Sequence, residues 1–312
     1  MRIFVAGATG VLGRRLVPGL VARGHTVVGT TRTAGKMDVL RSLGAEPAVV
    51  DGLDAAGVKE AVAAAEPEVV VHQMTAIPPT MDTRRFDETF AATNRLRTEG
   101  TDHLVEAARS AGARRLVAQS FGAWPYARVG GPVKGEDDPL DRDPPASLRL
   151  TLEAIRHTEA AIVGSGLEGT VLRYGGFYGP GTSLGEGGPV LELVRRRRFP
   201  VVGSGGGVWS FVHIHDASSA TVAAIEAAFT GVLNVADDEP APVREWLPDL
   251  AAAVGAPSPL RVPAWVARPL IGAAGVVMMT EIRGASNARA KRELGWELRF
   301  PSWRDGFRRG LE

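Results

Sequence analysis

Cysteine is absent from the 312 residues. That excludes disulfides, thiolate nucleophiles and thiolate metal sites, and no metal site is expected. Lysine is confined to Lys36, Lys59, Lys134 and Lys291, and tyrosine to Tyr126, Tyr174 and Tyr178. Chemistry that needs either residue therefore has few places to reside. A net charge of +1 provides no global field to draw in nucleic acid or a membrane surface. Long apolar runs are missing too. The most apolar late stretch, Pro263 to Thr280, is interrupted by Arg268 and Pro269 and is short for a membrane span, so it reads as a buried helical segment. These absences point to a soluble cytoplasmic protein acting on a small molecule, with neither nucleic acid nor membrane as partner.

Glycine, by contrast, is plentiful and ordered. Arg2 to Ala6 reads as a buried parallel strand, and Val11 to Ala22 carries apolar residues at helical spacing. Gly7, Gly10 and Gly13 fall between them, which is the context that gives a glycine pattern meaning. Gly7 permits a tight turn, Gly10 lets the backbone approach a pyrophosphate, and Gly13 lets the helix pack close to the strand. Gly7, Thr9, Gly10, Val11, Leu12 and Gly13 are thus the expected phosphate cradle, at a helix N-terminus that favours anions. The motif begins too early in the chain for a signal peptide to precede it.

Strands are predicted at 2–6, 26–30, 47–50, 68–72, 114–119 and 169–173, and helices near 11–23, 36–43, 54–65, 84–111 and 147–164. The alternation predicts an α/β fold, a Rossmann-type doubly wound parallel sheet with ligand outside the carboxyl ends of the strands. The second half is less regular. A strand at 209–214 and a helix at 216–229 return to the first domain. The expected division is a nucleotide-binding domain of residues 1–174, rejoined by 209–237, and a smaller C-terminal substrate-binding region of 175–208 and 238–312. The long polar loop from Pro125 to Pro145 is a candidate lid.

The end of the second strand lacks the acid that usually binds the ribose hydroxyls of NAD. Arg32 stands there instead, with Lys36 nearby, and both suit a 2′-phosphate. NADP(H) is therefore favoured over NAD(H). Asp51, with Gly52, is placed for the adenine, and Asp54 reads as a helix N-cap. Met74, Thr75 and Ala76 follow the fourth strand, where small residues let the cofactor lie over the sheet. His72 reads as a buried strand histidine rather than a catalytic one.

Together these marks resemble the extended short-chain dehydrogenase/reductases of the NAD-dependent epimerase/dehydratase type. The similarity continues through Asn94, Ser120 after strand five, Leu172-Arg173-Tyr174 with Tyr178-Gly179-Pro180, Phe211 to Asp216, and Asn287 with Glu293 to Trp296. The resemblance implies that Asn94 and Tyr174 contact cofactor, that Ser120 binds a carbonyl oxygen, and that Trp124, Gly176, Trp209 and Met278 border the substrate. It also implies a homodimer through the two long helices. One departure matters most. The family's Tyr-x-x-x-Lys pair falls on Thr151 and Ile155, and no realignment restores it. Reducing a carbonyl leaves an alkoxide that must be protonated, so Tyr126 is the first substitute donor, Tyr178 the second, and Lys134 and His157 more distant ones. A second departure is Trp209, which stands where nucleotide-sugar relatives carry a diphosphate-clamping Arg. The expected activity is an NADP(H)-dependent oxidoreductase acting on a small, largely apolar carbonyl or alcohol. A sugar-derivative epimerase or dehydratase and a non-catalytic NADP(H) sensor are the alternatives.

Overall fold

Six β-branched runs of the first half become adjacent parallel strands in the computed structural model, which describes residues 1–78 and 81–312. They are β1 (Arg2–Ala6), β2 (Thr26–Thr31), β3 (Glu46–Val49), β4 (Val69–His72), β5 (Arg115–Phe121) and β6 (Glu168–Tyr174). A seventh strand, β7 (Gly231–Val235), closes the sheet in the order β7-β6-β5-β4-β1-β2-β3. Every pairing is parallel. The order reverses beside β1, so the crevice outside the ends of β1 and β4 is where a ligand belongs.

Helices cover both faces, as a sheet apolar on both sides requires. Leu16, Val17 and Leu20 of α1 (Gly13–Val21) pack with the alanines of the helix Ile214–Glu226 on one face. On the other, Val58 and Val62 of α2 (Ala55–Ala65) meet residues such as Leu104 and Ala108. The segment expected to return to the sheet does so through that helix and β7. Its predicted strand is only Phe211–His213, and it pairs with Gly176–Tyr178 outside the main sheet. A separate core of Tyr178, Phe211, Trp246, Trp303 and Phe307 holds the C-terminal region together.

Three expectations change. The helix predicted across 84–111 is broken into α3 (Phe86–Thr89), α4 (Ala91–Arg97) and α5 (Glu99–Ser110). Thr98 leaves helical geometry at φ −96°, ψ −84°, and its hydroxyl donates back to the carbonyls of Asn94 and Arg95, a competition that bends helices. The apolar stretch after Pro263 is a helix over Ala264–Thr280, kinked at Gly272. It is not buried throughout, since Trp265 is 78% and Leu270 71% exposed. No helix among the described residues is long and apolar enough to cross a membrane. The loop from Pro125 to Pro145 is tied down rather than free. Tyr126 bridges to Leu140, and Val133 and Lys134 pair with Gly284 and Ala285.

Candidate active site

Two connected chambers open at the carboxyl ends of the strands. The first is a groove lined by Gly7, Thr9, Gly10, Thr30 to Thr33, Lys36, Gly52, Gln73, Met74, Thr75 and Leu96. Its floor is the turn from β1 into α1. Gly7 sits at φ +90°, and a Cβ there would lie 2.6 Å from the Gln73 carbonyl oxygen. A Cβ on Gly13 would meet the Ala8 carbonyl oxygen at 2.5 Å, so the helix start is pressed onto the turn. No side chain caps α1, whose start follows directly on the turn that floors the groove. Arg32 and Lys36 are exposed, and among the described residues neither has a carboxylate partner. The nearby Asp38 is bonded to Arg41 at 2.6 Å. A glycine cradle with two free cations beside it fits a dinucleotide carrying an extra phosphate.

Some expected cofactor contacts lie elsewhere. Asp51 does not line the groove. Its carboxylate accepts from the Leu53 N–H in a local turn, and Asp54 caps α2 by accepting from Gly57. Leu12 is buried under α1, and Val11 packs beside it. Ala76 donates its N–H to Thr93. Asn94 faces α6 (Arg149–Val163), where its side-chain amide donates to Thr151 at 3.0 Å.

The second chamber shares Met74 and Thr75 with the groove. Its further lining includes His72, Ile77, Arg97, Gln119, Ser120, Phe121, Tyr174 and Phe177. His72 is buried, with Nε2 3.1 Å from the Thr101 hydroxyl and Nδ1 accepting from the Met74 N–H. Burial lowers its pKa to about 4, so the imidazole is neutral at pH 7, as the sequence suggests. Ser120 reaches the chamber, but its hydroxyl donates to Glu159 at 2.8 Å. Glu159 in turn forms a fork with the Arg173 guanidinium at 2.8 and 2.6 Å. To polarise a carbonyl oxygen, the Ser120 hydroxyl would have to leave that carboxylate.

Neither substitute tyrosine is placed as a proton donor. Tyr126 is fully buried, donates to Asn234 at 2.5 Å and accepts from Arg173 at 3.1 Å, away from both chambers. Burial raises its pKa. Tyr178 is fully buried between Phe211, His213 and Phe307 in the C-terminal core. Lys134 is bonded to Asp138, and His157 to Asp102. At the positions of the missing pair, the Thr151 hydroxyl donates to Asp87 at 2.7 Å, and Ile155 is packed among Phe86, Phe90 and Trp124. Tyr174 lines the chamber, but its hydroxyl is 2.7 Å from that of Thr221.

Of the residues expected to border the substrate, none is among the chamber's described lining residues. Trp124 and Met278 belong to the apolar cluster behind Phe121. Trp209 donates its indole N–H to the Met278 carbonyl and lies against Trp246, ring centroids 5.1 Å apart. Gly176 pairs with Phe211. Among the chamber's lining residues that the sequence did not single out are Arg97, Phe121 and Phe177. Arg97 escaped because its place depends on the helix break at Thr98, which an uninterrupted periodicity conceals. The two phenylalanines are each next to residues already singled out, Ser120 and Gly176, and proximity was the available signal.

The chain resembles known proteins along its whole length. The NAD dependent epimerase/dehydratase family matches residues 3–236. A 3-diazoavenalumate denitrifying reductase from a Streptomyces species is 49% identical over 311 residues, covering 99% of this chain and all of that protein. A 2-alkyl-3-oxoalkanoate reductase from Stenotrophomonas maltophilia is 28% identical over 270 residues, covering 82% of this chain and 77% of the other. Among solved structures, a human epimerase family protein with NADPH superposes with a TM-score of 0.76 at 23% identity, over all of this chain and 99% of that one. At that identity the likeness speaks for the fold.

Proposed function

The chain belongs to the NAD-dependent epimerase/dehydratase family and is an NAD(P)-dependent oxidoreductase, and from that premise we propose that it is an NADPH-dependent reductase that removes dinitrogen from a small aromatic diazo compound. The observation that carries this reading is the filling of the Tyr and Lys positions by Thr151 and Ile155, in a chain so similar to a denitrifying reductase. The chemistry NADPH supplies when bound is a hydride. With a diazonium-type carbon, the C–N bond breaks, its electron pair leaves with dinitrogen, and the hydride pair becomes the new C–H bond. No alkoxide forms, so no side chain has to deliver a proton. A site with Ser120 turned to Glu159 and no free acid among its described lining residues meets that requirement.

The protein's own residues then have three tasks. Arg32 and Lys36 favour the 2′-phosphate of NADP(H). The turn at Gly7 and Gly10 cradles the pyrophosphate. Phe121, Phe177 and the ring of Tyr174 hold an aromatic substrate against the cofactor and exclude water. Trp209, packed against Trp246 and bonded to the Met278 carbonyl, offers no diphosphate clamp, which weighs against a nucleotide-sugar substrate.

Ketone reduction is the second reading, favoured by the oxoalkanoate reductase relative. An experiment separates the two. The protein is incubated with an aryl diazo acid and NADPH deuterated at C4, and the gas and product are analysed by mass spectrometry. One dinitrogen released per NADPH oxidised, with deuterium on the former diazo carbon, is the expected result. Ser120→Ala should alter this turnover less than threefold or so, whereas losing the donor in ketone reduction costs about 10²-fold or more. Absence of dinitrogen, with turnover of oxo acids that depends on Ser120, would establish the second reading instead.

A further inference from the structure

Most cations withdrawn from solvent in this protein are paired with a carboxylate, while Arg15 and Arg283 meet backbone carbonyls. Arg115 bonds Glu168 at 2.5 Å, Arg173 bonds Glu159 at 2.6 Å, and Arg128 bonds Asp141 at 2.8 Å. Arg97 breaks the pattern. It is partly buried at the end of α4 and lines the aromatic chamber, and among the described residues no carboxylate meets it. Burial lowers its pKa to about 10 with no neighbouring acid to oppose the shift, so it stays cationic at neutral pH. Its charge also helps disfavour protonation of the buried His72, which leaves Arg97 the sole cation among the chamber's described lining residues. An unpaired, partly desolvated guanidinium is costly unless something compensates it.

Arg97 is also held in place. Its Nη1 donates to Asn94 Oδ1 at 3.4 Å, Asn94 Nδ2 donates to Thr151 Oγ1 at 3.0 Å, and Thr151 Oγ1 donates to Asp87 Oδ1 at 2.7 Å. The donors run in one direction toward a single carboxylate. The position of the missing family tyrosine thus carries a link that orients a cation.

Resting on the reductase reading above, we propose that the chamber is a carboxylate-recognition site, in which Arg97 binds the acid group of an aromatic monocarboxylate while Phe121, Tyr174 and Phe177 enclose its ring. A guanidinium matches a carboxylate with two parallel N–H···O bonds. The cofactor's phosphates are poor alternatives. The pyrophosphate belongs at Gly7 and Gly10, and an added phosphate at Arg32 and Lys36, all in the other chamber. One cation with aromatic walls suits a monoanion. The Streptomyces relative is itself named for an acid anion. Thr151 and Asn94 act as positioning residues in this assignment.

The test is a binding measurement on the full chain saturated with NADP⁺, using cinnamate and methyl cinnamate as probes in isothermal titration calorimetry. Cinnamate should bind about tenfold or more tightly than its ester, as expected for bonds to a charged group. Arg97→Gln should abolish that preference, Arg97→Lys should retain part of it, and Thr151→Val should weaken cinnamate by a few fold. NADPH affinity should stay within about twofold in all three. Lack of acid preference in the unaltered protein, through equal or absent binding, overturns the proposal and needs no variant. So does an equal loss of NADPH and cinnamate affinity in Arg97→Gln, which would assign Arg97 to the cofactor. Since nothing is turned over, acid preference without dinitrogen release would sink the denitrifying reading and leave the carboxylate site standing. Dinitrogen released equally well from a diazo acid and its ester would do the reverse.

Discussion

The two chambers handle charge in opposite ways. In the groove, Arg32 and Lys36 stand in solvent with no partner, and the glycine turn beneath them carries only backbone N–H groups and a helix dipole. Behind the chamber beside it, charge is buried and internally matched: Glu159 takes the Ser120 hydroxyl and the Arg173 fork, and Arg173 reaches on to Tyr126. Exposed cations cost little to leave unpaired and gain most when a phosphate arrives. Buried ones must be paired in the fold. The groove's cations are thus left open to a ligand, the polar layer behind the chamber is matched within the fold, and Arg97 on the chamber's lining is the exception.

That contrast can be broken by experiment. The largest effect should come from Glu159→Ala, which leaves Arg173 buried without its carboxylate and should cost about 3–5 kcal/mol in urea unfolding. A loss below about 1 kcal/mol would mean that the wall is not structural. Next is a pH effect at His72. Its pKa is lowered in the folded state from 6.5 to about 4, chiefly by burial. The unfolded chain thus binds the proton first as pH falls. Stability from this group is complete above about pH 6.5 and declines through pH 4, by about 3 kcal/mol in all. His72→Gln should flatten that part of the stability profile, and an unchanged slope would remove His72 as its source. The smallest effect in energy is the most selective. Arg32→Ala should weaken NADPH binding by about 10–100-fold and NADH by less than about twofold, with stability within about 0.5 kcal/mol. Equal losses for the two cofactors would erase the distinction between the chambers.

The same contrast explains what could be read in advance. The groove comes largely from contiguous residues, Gly7 to Gly13 and Thr30 to Lys36, so its chemistry is visible as a local pattern. The strands around it follow from β-branched runs. The chamber gathers the ends of β4, β5 and β6 with the end of α4, and only pairing in space shows that Tyr126 serves Asn234 and Arg173 instead of a substrate. Asp51 was expected at the adenine, and its own backbone turn engages the carboxylate through the Leu53 N–H. The departure that mattered most, Thr151 and Ile155 at the pair's positions, was visible in the sequence. What meets those positions was not, because the line from Arg97 through Asn94 to Thr151 forms only in space, once the helix is broken.

The break at Thr98 has a consequence for how such a protein can diverge. Along an unbroken helix each inserted residue turns everything beyond it by about 100°, so a change in the segment that packs on the sheet would also swing any side chain facing the ligand. Here α5 packs against α2, while α4 ends independently at Arg97. The interruption uncouples the two registers. Under the carboxylate assignment proposed above, position 97 can exchange its charge, and with it the ligand accepted, without rebuilding the layer beneath.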